Sequence, residues 1–324
     1  MVSTPKTFAR KIKSFLSLLA SGSKRKSSRN HKWPEPTWHR PEEYLPGDVW
    51  DSQNPAERFA SAGDLCAHLG DQLPVQLVKL IAHDVLQGLK YLHDVRGTTH
   101  GGQFNVSQDT ILIAPRDMKS IISQFYSDGV SHHTSTASQF QPLYFDFDTL
   151  VSPPYSASSV VFRLCYPDID RPRHDPFCDS YGMRPPEDIL GAPRAASSDL
   201  WTLGCVLYEL LTGESLFDPS FQTDDLGLTP EESHIIQMIE MVGEFPQDLL
   251  RSGKHSSCWF RDDGTLRLET TYYPVTLQEI LRMRIDESEV INAADFLGSM
   301  LQLRPQDRMK AADLLNHPWF MTSS

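Results

Sequence analysis

The stretch Gly182–Phe217, GMRPPEDILGAPRAASSDLWTLGCVLYELLTGESLF, decides the fold. Its second half reads as a helix. Ser197 and Ser198 are N-cap candidates, and Asp199 puts negative charge in the first turn, where the helix dipole favours it. Leu200, Leu203, Leu207 and Leu210 recur at spacings of three, four and three, which is one apolar face. Trp201, Val206 and Leu211 make the other sides apolar too, so the helix is expected inside a large domain. Gly213 stands where a C-cap glycine belongs.

Pro185-Pro186-Glu187 followed by Asp199-x-Trp201-x-x-Gly204-Cys205 resembles the A-P-E and D-x-W-x-x-G signatures of eukaryotic protein kinases. The run Ile189-Leu190-Gly191-Ala192-Pro193 between them resembles SR-protein kinases and their fungal relatives. Working outward, Leu73–Asp94 reads as a long helix with Val78, Ile81, Val85, Leu89 and Leu92 as its buried stripe. Its text is similar to the helix that leads into the kinase catalytic loop. Downstream, His234–Leu250, Ser257–Phe260, the helix Asn292–Leu301 and the closing LRPQDRMKAADLLNHPWF extend the likeness to residue 320.

The resemblance implies a mainly α (α+β) fold, a protein-kinase-like C-lobe over residues 73–320. Residues 114–160 read as a polar insert in loop form. Residues 35–72 read as an irregular segment rich in Pro and Trp, a vestigial N-lobe at most. Residues 1–34 read as a basic, disordered tail. A complete kinase would need a glycine-rich loop over the ATP phosphates and a strand lysine pairing with them. No G-x-G occurs anywhere, and between Trp33 and His100 the only lysines are Lys79 and Lys90, both in the helix. The N-lobe is therefore expected to be missing or reduced to a fragment such as Leu65–Gly70.

The loop after that helix carries the chemistry in the family. An aspartate two residues past the histidine orients the substrate hydroxyl, a lysine steadies the γ-phosphate, and an asparagine holds magnesium. Here His100 matches, but Gly102 stands at the aspartate, Phe104 at the lysine and Thr110 at the asparagine, after an insertion of three residues. Asp109 aligns beside the metal-ligand position, not with the base. Glycine can neither accept a proton nor orient one. The metal-binding D-F-G has two candidate registers. Phe162-Arg163-Leu164-Cys165 resembles the strand before it, which puts Tyr166-Pro167-Asp168 at the motif; this is the preferred register. Tyr144–Asp148 instead offers Asp146 as a weak candidate magnesium ligand. The family also implies a structural framework: Glu187 paired with Arg308, Asp199 accepting backbone N–H groups of the loop, and Trp201 in the core.

Composition bounds the rest. The 324 residues are 40% hydrophobic and 22% charged, ordinary for a soluble chain, and no apolar run is long enough to span a bilayer. The five cysteines are scattered, as free thiols in a reducing compartment would be. His132-His133 reads as a solvated pair, since no second ligand cluster accompanies it. Of the 30 basic residues, nine fall in residues 1–34 with no acid among them, leaving 21 against 42 acidic residues in the remainder. The acidic body argues against nucleic-acid binding by the domain. Within the tail, Phe8, Ile12, Phe15 and Leu19 share a face opposite Lys6, Arg10 and Lys13. That pattern suits a membrane or other anionic surface, or a mitochondrial presequence, while Ser23–Lys26 suits nuclear import. An intracellular location, cytoplasm or nucleus, is expected, with the mitochondrion as the alternative.

The function expected is that of a degenerate SR-protein-kinase-like protein, a pseudokinase acting as a protein-binding or regulatory module. Its partner would be a kinase or a kinase substrate, docked in a groove between the central helix and Leu226–Pro246. No cofactor is expected. The alternatives are an active Ser/Thr kinase using ATP and Mg, and a truncated gene model of such a kinase.

Overall fold

The computed structural model describes residues 60–100, 106–115, 160–164, 181–220 and 227–321. The first described element is a two-residue strand, β1 (Ala60–Ser61), running directly into helix α1 (Ala62–Leu69). Sequence reading places these residues in an irregular segment; a capping box makes them helical instead. The Ser61 hydroxyl accepts from the Asp64 amide at 3.1 Å, and the Asp64 carboxylate accepts from the Ser61 amide at 2.9 Å. Leu65 of α1 is fully buried in the same core as the rest of the lobe, so this helix belongs to the helical lobe.

Helix α2 (Val75–Lys90) starts two residues later than its pattern suggests, with Pro74 at the N-cap, and ends in a π-helical turn, Tyr91–Arg96. Its stripe Val78, Ile81, Val85, Leu89 and Leu92 is wholly buried. After a 3-10 turn at Gln108–Thr110 come β2 (Ile111–Pro115) and β3 (Val160–Leu164). The three strands form one antiparallel sheet in the order β1-β2-β3, with Ser61 opposite Leu112 and Ile113 opposite Phe162. Residues 114, 115 and 160, expected in the polar insert, are thus paired strand. Asp84 of α2 ties the sheet to the helices by accepting the Phe162 amide at 3.0 Å.

The remaining chain is helical: α3 (Pro186–Leu190), α4 (Ala196–Thr212), α5 (Pro230–Met241), α6 (Gln247–Ser252), α7 (Ser256–Trp259), α8 (Leu277–Leu281), α9 (Glu287–Met300) and α10 (Ala311–Leu314). The central helix is α4, buried on nearly every side as its composition requires. Its N-cap is Ala195, not Ser197 or Ser198; Ser198 lies inside the helix and accepts the Ala195 amide at 3.3 Å. Two glycines on α4 answer to packing. A Cβ on Gly204 would lie 3.1 Å from the Leu301 side chain, so glycine lets the end of α9 approach α4 closely. Gly213 ends the helix at φ 74°, and a Cβ there would meet the Asp71 and Gln72 backbone at 3.3 Å. Beside it, Gln72 donates to Leu211 O at 3.0 Å and to Arg284 O at 2.7 Å.

Candidate functional site

Glu187, in the first turn of α3, and Arg308 form a fully buried two-pronged ion pair. Arg308 Nη1 donates to Glu187 Oε1 and Nη2 to Oε2, both at 2.7 Å. The remaining valences are filled. The Ser198 hydroxyl donates to Glu187 Oε1 at 2.6 Å. Arg308 also donates to the carbonyls of Gln302 at 2.8 Å and Ser197 at 3.0 Å. Its guanidinium stands 5.2 Å from the Trp201 ring. Because this corner joins α3, α4 and the segment before α10, it fixes how those elements meet.

Asp199, 1% exposed in the first turn of α4, reaches the other way. Its Oδ2 accepts the His100 amide at 2.7 Å and His93 Nε2–H at 2.9 Å. One carboxylate oxygen therefore anchors the entry to the loop and the π-helical turn before it. His93 was not singled out from sequence; its position in Y-L-H, one face away from the buried stripe, was the available signal.

The loop beyond His100 is described again from residue 106. Thr110 is 8% exposed and its hydroxyl is already engaged. It accepts the Ser107 amide at 2.8 Å and donates to Ser107 O at 3.0 Å, closing the 3-10 turn. The Asp109 carboxylate lies against the first turn of α1, where a Cβ on Gly63 would come within 2.6 Å of Oδ1. Lys79 on α2 is buried and donates to Glu289 of α9 at 2.9 Å, with its ammonium 5.7 Å from the Trp319 ring. Burial pushes the Cys66 thiol up to about 12, and Glu209, Asp71 and Asp109 add to it, so negative charge gathers beside α1.

ATP and Mg would need a lysine for the phosphates and oxygen ligands for the metal. The described residues do not fit that demand. Lys79 is held by Glu289, the Thr110 hydroxyl by Ser107, and no group of three His, Cys, Asp or Glu converges among the described residues. Gly102, Phe104, Asp146, Asp168, His132-His133 and the basic tail lie outside the described residues. No described helix is long and apolar enough to cross a membrane.

The groove expected between the central helix and the segment ending at Pro246 is filled. Phe217 stacks on Trp201 of α4 at 5.8 Å and meets His234 of α5 at 5.1 Å, while Ile235 and Met238 are fully buried. The sequence likeness over His234–Leu250 gives no sign that Phe217 occupies the gap. On the other side of Phe217 a cavity of about 10 Å³, about the size of one water, is lined by Met183, Cys205 and Glu209 among others.

Comparison with known proteins agrees with this architecture. Residues 168–320 match the protein kinase domain family. Over 140 residues the chain is 39% identical to the serine/threonine-protein kinase SKY1 of Saccharomyces cerevisiae, covering 42% of this chain and 18% of that protein. It is 31% identical over 135 residues to SRSF protein kinase 3 of Mus musculus, covering 41% and 23%. It is 28% identical over 271 residues to the serine/threonine-protein kinase SRPK of Physarum polycephalum, covering 76% and 61%. The chain thus spans less than two thirds of each of these relatives. Glu187, Asp199, Trp201 and Arg308 all fall inside the matched kinase domain, and His100 to Thr110 precede it. The C-terminal part of the chain is thus a protein-kinase-like C-lobe, similar in sequence to SR-protein kinases.

Proposed function

We propose that this chain is a pseudokinase: it keeps the kinase C-lobe as a protein-binding or regulatory module and does not transfer phosphate. The observation that carries the reading is the bond from the His100 amide to Asp199, which fixes where the loop begins. Two residues further on, where the family resemblance puts a substrate-orienting aspartate, the chain has Gly102. A positioned acid–base group contributes about 10²–10⁴-fold to proton-transfer steps, and glycine supplies none of it. The engagement of Thr110 with Ser107 and of Lys79 with Glu289 supports the same reading, since both groups are held by the fold.

The partner proposed is a protein, either an active kinase or its substrate. The acidic body, with 42 acidic residues against 21 basic ones outside the tail, suits a basic protein segment better than a nucleic acid. The tail would add contact with a membrane or another anionic surface. The second reading, an active Ser/Thr kinase using ATP and Mg, draws on the intact Glu187–Arg308 framework and on the relatives, which are named as kinases.

Thermal unfolding with and without magnesium-ATP separates the two. The pseudokinase reading expects an unchanged melting temperature and no phosphate on an Arg-Ser peptide. A rise that Asp146→Asn removes, together with labelling of that peptide, would replace it with the enzyme.

A further inference from the structure

Helix α5 meets the lobe through a line of rings ending on a histidine that has nowhere to place a charge. His234 is 0% exposed, and among the described residues neither ring nitrogen has a hydrogen-bond partner. Its ring faces Phe217, which stacks on Trp201, which lies under the Arg308 guanidinium. Polar clasps hold the helix on either side. Glu231 accepts from the Tyr181 hydroxyl and lies 3.6 Å from Arg184. The Gln237 amide donates to Asp218 O at 2.7 Å and accepts the Asp218 amide at 2.9 Å.

The charged surroundings give the imidazole no help. Burial, and then Arg184, push its pKa down to about 3. Glu231 on the same helix is engaged with Arg184 and Tyr181. Glu214 is paired with Arg284 at 2.5 Å, and Asp218 binds the Ser220 amide and hydroxyl. Glu209 of α4 borders the neighbouring cavity. Among the described residues, none of these carboxylates hydrogen-bonds the ring.

We propose that α5 is an acid-released latch. His234 takes up a proton only when the helix lifts from Phe217, so falling pH opens α5 ahead of the rest of the lobe and uncovers Phe217. The sign follows from linkage. An exposed histidine titrates near 6.5 and the buried one far lower, so closure is fully favoured above about pH 6.5 and weakens as pH falls below it. The latch is independent of whether the chain transfers phosphate.

Amide hydrogen exchange on the full chain between pH 8 and pH 5, corrected for the intrinsic pH dependence, tests this. The amides of α5 should lose protection by about 30-fold at pH 5 and should stay less protected than those of α2 at both pH values. His234→Phe keeps a ring against Phe217 and should abolish the loss, with His234→Leu as the second variant where Phe overfills the site. Protection of α5 that is independent of pH, protection of α5 equal to that of α2 at pH 5, or a loss undiminished in the folded variants would each overturn the latch.

Discussion

Arg308–Glu187 and Lys79–Glu289 are both buried ion pairs, yet they are built differently. In the first, each carboxylate oxygen receives its own guanidinium nitrogen, Ser198 adds a third donor, and backbone carbonyls take up the other Arg308 N–H groups. In the second, one Glu289 oxygen meets the Lys79 ammonium at 2.9 Å, and the other has no hydrogen-bond partner among the described residues. The first joins segments across 121 residues of sequence and the second across 210. A planar, five-donor guanidinium organises a corner; a point-charge ammonium only neutralises its partner. The framework pair is therefore architecture in the strict sense, while the lysine pair is compensation for a charge left inside.

Mutations that break each pair should separate these roles. Arg308→Met strands a buried carboxylate and several carbonyls, and should lower stability by about 3–5 kcal/mol in urea unfolding. An unchanged midpoint would mean that the corner does not hold the lobe together. Lys79→Met should cost less, about 1–3 kcal/mol, because Trp319 and the aliphatic neighbours still pack on the new side chain. The sharper test is removing both partners. Lys79→Met with Glu289→Leu should return to the original stability or exceed it, since isosteric apolar replacement of a buried pair is often neutral or favourable. Arg308→Met with Glu187→Leu should stay destabilised, because Ser198 and the carbonyls of Ser197 and Gln302 lose their partners. Equal recovery in the two double variants would erase the distinction. The smallest effect belongs to the degenerate loop. Thr110→Val should cost about 1 kcal/mol through loss of the Ser107 turn and leave the melt with magnesium-ATP as it was.

Much of the helical lobe could be read in advance because its periodicity is strong. The stripes of α2 and α4 are spaced for burial, and Val85 and Leu207 are each fully buried. Helix α1 escaped notice because its signal is local and polar. Ser61 and Asp64 form a capping box within a short segment that has little apolar periodicity, and only the buried Leu65 reveals its membership of the core. The ends of the insert escaped for another reason. Ala114, Pro115 and Val160 become strand by pairing across a gap of more than forty residues, and a partner so distant leaves no mark on local composition. At the site, Gly102 and Thr110 were legible because a missing functional group is a property of the residue itself. The roles of His93, Lys79 and His234 were not, since each depends on which side chain arrives opposite.

By itself, the sequence determined which groups this lobe possesses: an apolar central helix, a carboxylate and a guanidinium for its corner, and no carboxylate at residue 102. The tertiary structure alone decided how they are spent. It put Lys79 against Glu289, turned the Thr110 hydroxyl onto Ser107, filled the gap beside α5 with Phe217, and enclosed His234 with no hydrogen-bond partner among the described residues. The physical reason is range. Propensity and periodicity act over a few residues, whereas the cost of burying a polar group is set by whatever distant segment packs against it.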